Sequence, residues 1–128
     1  ATTLGPWITT PDSLEKYREG DRYALDMSVS VNGERLGGDN LKNMSWSFEQ
    51  MVAHASRSSM VGAGDVLGSG TAHTGSLAEH WGKNKSLTPA PLKAGDQVTM
   101  TIEGIGTISN VVGEPVVAPE IPRARQKI

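Results

Sequence analysis

The chain has 128 residues, the size of one ordinary domain, and only one of them is phenylalanine, so we look for a single core built from small side chains. Its 12 Lys and Arg against 14 Asp and Glu give a net charge of −2, which excludes the basic field of a nucleic-acid-binding protein. It has no cysteine, which excludes disulfides and thiolate metal sites, and no stretch as apolar as a membrane helix, so we expect a cytoplasmic protein with no membrane partner.

The first third of the chain predicts a short helix and a hairpin. Residues 4–9 are a short extended candidate, and Thr10-Pro11-Asp12 is typical of a helix start, with at most two turns to follow. Apolar and polar residues then alternate from residue 23 to 31, which is the period of a half-buried strand. Asn32-Gly33 comes next and tolerates positive φ at both central turn positions, so we predict a type I′ hairpin.

The rest of the chain predicts one principal helix and further strands. Ser47 and Gln50 have capping-box spacing, and an apolar stripe follows, so we place this helix at about residues 46–58. Gly64-Asp65 and Gly95-Asp96 each precede a β-prone run, and we expect both pairs to open strands, the second of which returns as another hairpin after residue 104.

Two segments are predicted to lack regular structure. Residues 68–91 are polar, glycine-rich and aperiodic, and a segment of this length indicates a functional loop or disorder. Residues 114–128 contain three prolines and a basic end, which is typical of an extended tail. The predicted fold class is therefore mainly β (α+β), with one principal helix.

Five segments, in order, carry a resemblance to a known family: Leu4-Gly5-Pro6-Trp7-Ile8-Thr9-Thr10-Pro11-Asp12, Val31-Asn32-Gly33-Glu34, Trp46-Ser47-Phe48-Glu49, Gly64-Asp65-Val66-Leu67-Gly68-Ser69-Gly70-Thr71 and Ile102-Glu103-Gly104-Ile105-Gly106-Thr107. Together they resemble the C-terminal part of the fumarylacetoacetate hydrolase catalytic domain over about residues 1–113. No segment is decisive alone, but their order and spacing indicate the family, although not the substrate.

The resemblance implies a mixed β-sandwich or roll and a hydrolase that cleaves a C–C bond in a 1,3-diketo acid of the fumarylacetoacetate or acylpyruvate type. A divalent metal, Mg²⁺, Mn²⁺ or Ca²⁺, would polarise the substrate carbonyl, and a histidine assisted by a glutamate would activate water. Two alternatives stay open. One is a decarboxylase, hydratase or tautomerase acting on a similar oxo acid, and the other is a non-enzymatic β-rich binding or assembly module.

The family's metal carboxylates and catalytic histidine precede a Lys-Ser-Phe-x-Thr segment, and Thr2 would be the last residue of that segment. The resemblance thus implies Thr2 as a contributor to the metal site, with the main carboxylate ligands outside this sequence. We therefore expect a fragment, a split chain or a partly observed protein that is inactive alone. It would act either as a homodimer or in association with the N-terminal part of the same enzyme.

The resemblance also assigns site residues in the polar segment. Thr71, with Gly70 before it, corresponds to the substrate contact, and Glu79 corresponds to the catalytic glutamate when Gly75-Ser76 sets the alignment. Anchoring on Trp81 would place Ala78 there instead, but the chemistry needs a carboxylate. The simpler alternatives are a solvated surface glutamate for Glu79, a plain tight turn at residues 68–71 and a frayed end at residue 2. His73 and His80 are interpreted as hydrogen-bonding surface groups.

Overall fold

The computed structural model, which describes residues 2–125, contains two antiparallel sheets and several short helices, in agreement with the mainly β (α+β) prediction. The elements are α1 (Pro11–Leu14), β1 (Arg18–Glu19), β2 (Arg22–Tyr23), β3 (Asp26–Val31), β4 (Glu34–Asn40), α2 (Phe48–Ala55), α3 (Leu77–Asn84), β5 (Gln97–Ile102) and β6 (Gly106–Val111). Two 3₁₀ turns, Glu15–Tyr17 and Leu41–Asn43, complete the set.

The larger sheet has the strand order β4-β3-β5-β6 and contains both predicted hairpins. Asn32 and Gly33 have φ of 52° and 82°, the positive values that a type I′ turn requires, so the prediction for this turn is confirmed. A register shift between Val29 and Ser30 makes Val29 face Gly37 of β4. In this strand order, β3 is an interior strand that pairs with β4 on one side and β5 on the other.

The core lies between α1, the small β1–β2 sheet and the end of the larger sheet at which β3 begins and β4 ends. It consists of Leu14, Tyr23, Leu25 and Leu41, of which Leu25 is completely buried. Many other large apolar side chains stay in contact with solvent, and Trp46 is 67% exposed. This small core agrees with the low aromatic content. Each large side chain that is buried contributes about 1.5–3 kcal/mol to the stability of the fold.

The helix starts follow the sequence signals closely. Helix α2 has the predicted capping box, because the Ser47 hydroxyl accepts from the Gln50 amide at 3.2 Å and the Gln50 side chain accepts from the Ser47 amide at 2.9 Å. Helix α1 begins with Pro11 as predicted and has a single turn. No helix within residues 2–125 has the length and apolar character needed to cross a bilayer.

Three expectations for local structure are wrong. Residues 68–91 include helix α3, which begins after Ser76 because the Ser76 hydroxyl caps the Glu79 amide. Gly64-Asp65 forms a turn in which the Asp65 carboxylate accepts from Gly62, but no strand follows it. Residues 4–9 form no strand either; instead the Trp7 indole donates to the Ile105 carbonyl. Neither residues 4–9 nor the segment after Gly64-Asp65 pairs with a strand of the described sheets.

Candidate functional site

An open cavity of about 1050 Å³ lies beside the larger sheet. Its walls come from strands β3, β4 and β5, from the segment that leads into α2, and from the loop that precedes α3. Gly70, Thr71 and Glu79, which lie up to nine residues apart in the chain, all line this cavity. The structure therefore brings three of the four predicted site residues to one surface.

Helix α3 positions Glu79. Because Ser76 caps the helix, Glu79 is the third helical residue, and its side chain points back toward the loop before the helix. One carboxylate oxygen accepts a hydrogen bond from the Thr74 amide, and the other lies 2.9 Å from Nδ1 of His73 and 3.1 Å from Nζ of Lys83. The side chain is 26% exposed, so these contacts are formed in a half-buried setting at the cavity wall.

These contacts favour the ionised carboxylate. The pKa of Glu79 lies below its ordinary value, chiefly because Lys83 donates a hydrogen bond to it, with further contributions from the Thr74 amide and the His73 charge. Partial burial opposes this shift but does not cancel it. A carboxyl group held in this way can accept hydrogen bonds and orient an imidazole, but it is a poor proton donor near neutral pH.

The loop before α3 is fastened to strand β4. The Thr74 hydroxyl lies 3.2 Å from the Gly38 amide and 3.3 Å from the Gly38 carbonyl, close enough to accept from the first and donate to the second. One residue earlier, the His73 amide donates to the Asp39 carboxylate at 3.2 Å. The pKa of Asp39 lies below its ordinary value, first because Asn43 donates to it and then because the Asn40 and His73 amides do.

The predicted binding residues differ in where they lie. Gly70 has φ of 83° and is exposed with Thr71 on the cavity wall, where a substrate could reach them. Thr2 is also exposed, but it does not belong to the described residues that line this cavity. His73 and His80 act as hydrogen-bonding groups in the structure: His73 contacts Glu79, and His80 Nε2 lies 3.0 Å from the Thr74 carbonyl.

The described residues do not fit a divalent metal by themselves. Residues 2–125 contain no group of three or more His, Asp or Glu side chains arranged to hold an ion. Mg²⁺ and Ca²⁺ need several oxygen ligands, whereas Glu79 is a single carboxylate that already contacts Thr74, His73 and Lys83. A metal in this cavity would therefore need ligands from elsewhere.

Sequence reasoning missed two residues that organise this site, Thr74 and Asp39. The available signal was the Gly37-Gly38 pair after the Asn32-Gly33 turn, in the returning strand of the hairpin, because glycine within a strand often marks a close approach of another backbone. An ideal Cβ on Gly37 would overlap the Thr74 carbonyl oxygen. The glycine pair therefore marks the place where the loop docks on the sheet.

Comparison with known proteins gives consistent matches. Residues 1–113 match the family model described as Fumarylacetoacetate (FAA) hydrolase C-terminal. The chain is 33% identical over 111 residues to the 2,4-didehydro-3-deoxy-L-rhamnonate hydrolase of Sphingomonas sp., a match that covers 87% of this chain and 35% of that protein. A putative hydrolase of Burkholderia multivorans is 32% identical over 105 residues, with 80% and 33% covered. The chain thus spans about a third of the length of these relatives.

Two solved structures share the fold. A maleylpyruvate hydrolase from Sphingobium sp. superposes with a TM-score of 0.66 at 24% identity, covering 87% of this chain and 35% of that one. A maleylpyruvate hydrolase from the same source, in complex with manganese(II) and pyruvate, gives a TM-score of 0.65 at 25% identity, with 86% and 34% covered. The fold type expected from the sequence resemblance is therefore confirmed.

Proposed function

Since the chain belongs to the fumarylacetoacetate hydrolase family, we propose that it forms the C-terminal part of a metal-dependent hydrolase that cleaves a C–C bond in a 1,3-diketo acid or a related oxo acid. Several relatives carry hydrolase names, and the manganese complex of maleylpyruvate hydrolase contains pyruvate, a small oxo acid. These matches support the class of reaction and of substrate.

The observation that carries the proposal is the shared cavity wall formed by Gly70, Thr71 and Glu79. The Thr71 hydroxyl and the backbone near Gly70 are exposed there and would bind substrate oxygens. Glu79 presents an ionised carboxylate, which would orient the imidazole that accepts a proton from water. Positioning a base in this way contributes to catalysis because it fixes the base before the reaction begins.

The proposed reaction is a hydrolysis in which one water molecule is added as the C–C bond breaks. The water oxygen bonds to a carbonyl carbon while the base takes a water proton, and the adjacent C–C bond then breaks. The electron pair of that bond leaves as an enolate, which takes up a proton to give the second product. Glu79 keeps the base aligned with the water during the first step, and Thr71 holds the substrate in place.

A divalent metal, Mg²⁺, Mn²⁺ or Ca²⁺, belongs to the proposal as a cofactor that would polarise the substrate carbonyl. Because residues 2–125 provide no ligand set, its main carboxylate ligands would lie outside this sequence. Thr2 stays a proposed contributor to that site. The activity is accordingly proposed for the complete protein and not for residues 1–128 alone.

The test is Glu79→Gln in the complete protein. We expect kcat on an acylpyruvate to fall by a factor of about 10²–10⁴ while KM changes little, because the substitution keeps the size of the side chain and removes the charge that orients the base. Glu34→Gln, at an exposed strand end, is the matched control and should leave both constants unchanged. Full activity in Glu79→Gln would remove the catalytic assignment, and release of CO₂ in place of two organic acids would exclude hydrolysis.

A further inference from the structure

Three non-glycine residues among those described have positive φ: Asn32, Thr74 and Lys85. The first is explained by its type I′ turn, and Lys85 ends helix α3 in the left-handed conformation common at that position. Thr74, with φ of 58°, is the third residue of a turn that is closed by a bond from the Gly75 amide to the Ala72 carbonyl at 2.9 Å, a position that favours glycine or asparagine. It is also β-branched, for which this conformation is a true outlier that costs about 1–3 kcal/mol and persists only where the surroundings enforce it.

The surroundings of Thr74 enforce this conformation through every polar group that the residue has. Its hydroxyl is within hydrogen-bonding distance of both backbone groups of Gly38, at 3.2 and 3.3 Å. Its carbonyl lies 3.0 Å from Nε2 of His80, and its amide donates to the Glu79 carboxylate. Thr74 therefore connects strand β4 directly to the predicted catalytic glutamate.

Strand β4 is shaped for this contact. Gly37 lies opposite Val29 in the sheet, and a side chain on Gly37 would overlap the Thr74 carbonyl group, which is rigid backbone and cannot rotate away. Glycine inside a strand weakens the strand, so two consecutive glycines here need a local reason. The close approach of residue 74 supplies that reason for Gly37, whereas a Cβ on Gly38 would meet the Met27 carbonyl oxygen of the neighbouring strand.

The direction of the Thr74 amide depends on its φ. If the two contacts with Gly38 were lost, the turn would be held only by the bond from the Gly75 amide to the Ala72 carbonyl and by contacts with helix α3, and the Thr74 N–H would be free to turn away from Glu79. We propose that Thr74 is a positioning residue that holds the Glu79 carboxylate in place through its hydroxyl contacts with Gly38. This inference rests on the proposed function of Glu79.

The first experiment compares Thr74→Val with Thr74→Ser in the complete protein. Valine keeps the β-branched shape and loses the hydroxyl, whereas serine keeps the hydroxyl. We expect Thr74→Val to lower kcat by about 10²-fold, the scale of a small misplacement of a catalytic group, with KM within about threefold of wild type. Thr74→Ser should restore most of the activity. Equal losses in both variants would overturn the inference.

A second pair of variants tests the contact between Thr74 and strand β4 by substitution of a glycine. Gly37→Ala should push the loop off the sheet and lower kcat in the same way, and it serves as the test if Thr74→Val does not fold. Gly62→Ala is the matched control, because a Cβ on Gly62 meets no other atom within 4 Å. Wild-type kcat in Gly37→Ala would contradict the inference.

Titration of the Glu79 carboxyl by carbon-13 NMR gives a readout that does not depend on the reaction. Lys83 is the main cause of the lowered pKa of Glu79 and the Thr74 amide adds to it, so this pKa should rise part of the way toward its ordinary value in Thr74→Val and stay low in Thr74→Ser. An unchanged pKa in Thr74→Val would overturn the positioning role. If wild type fails to cleave diketo acids, the proposed function fails, but this titration still decides the role of Thr74.

Discussion

The larger sheet and the docked segment, which we define as residues 68–84, are held in place by different forces. In the sheet, strand β3 pairs with β4 on one side and β5 on the other, and β5 continues the pairing to β6. The docked segment contacts that sheet through a few polar groups, mainly the bonds from Thr74 to Gly38 and from His73 to Asp39. Helix α3 has no buried residue.

This difference separates scaffold from site. Continuous pairing and a small core fix the sheet, whereas the predicted catalytic residue lies on an element that a handful of hydrogen bonds keeps in place. Such an arrangement is common, because loops carried on a rigid scaffold present functional groups at the surface. It also implies that the two regions should respond differently to substitution.

The largest expected effect is in the core below the sheet. Leu25→Ala removes a completely buried side chain from the contact between Leu14 and Leu41, and we expect the free energy of unfolding of the complete protein to fall by about 2–5 kcal/mol. Chemical denaturation measures this loss. Leu87→Ala, at a residue 63% exposed and just beyond the docked segment, should change it by less than about 0.5 kcal/mol. Comparable losses in the two variants would contradict the assignment of Leu25 to the core that fixes the sheet.

A smaller, local effect is expected in the docked segment. Ser76→Ala removes the hydroxyl that caps the Glu79 amide at 3.3 Å, which should weaken helix α3 by about 1 kcal/mol. Hydrogen exchange should become faster in the amides of α3 and remain unchanged in strands β3 and β5. The exposed Ser58→Ala is the control. Faster exchange throughout the sheet would show that the segment is an integral part of the fold.

The smallest effect is a pH dependence at the end of the sheet. The pKa of Asp96 is below its ordinary value, first because Asn32 donates to the carboxylate and then because the Lys93 amide does. A lowered folded-state pKa means that this stabilisation is present above the ordinary carboxyl value near 3.8 and is lost as the pH falls through the folded pKa. The free energy of unfolding of Asp96→Asn should therefore fall less steeply with decreasing pH in this range than that of the wild type. An unchanged slope would contradict this account.

Much of the fold could be predicted because the relevant signals are local. Asn32-Gly33 specifies its turn through the backbone conformations that these two residues tolerate, and Ser47 with Gln50 specifies a helix start through bonds that span three residues. Helix α3 escaped prediction although Ser76 and Glu79 have capping-box spacing, because this start lies within a glycine-rich, aperiodic stretch, and in the structure the Glu79 side chain accepts from the Thr74 amide and not from the Ser76 amide. Gly64-Asp65 was misinterpreted because a turn signal does not ensure that a partner strand is present.

The sequence by itself determined the hairpins, the capping box and the family resemblance over residues 1–113, which the family match confirms. Its assignments of Glu79, Gly70, Thr71 and Thr2 remain predictions. Only the tertiary structure decided that Glu79, Gly70 and Thr71 share a cavity wall and that Thr74 connects Glu79 to Gly38. The physical reason is range: turns and caps depend on neighbouring residues, whereas the Thr74 to Gly38 contact joins groups 36 residues apart, and the Gly37-Gly38 pair marks only the strand side of it.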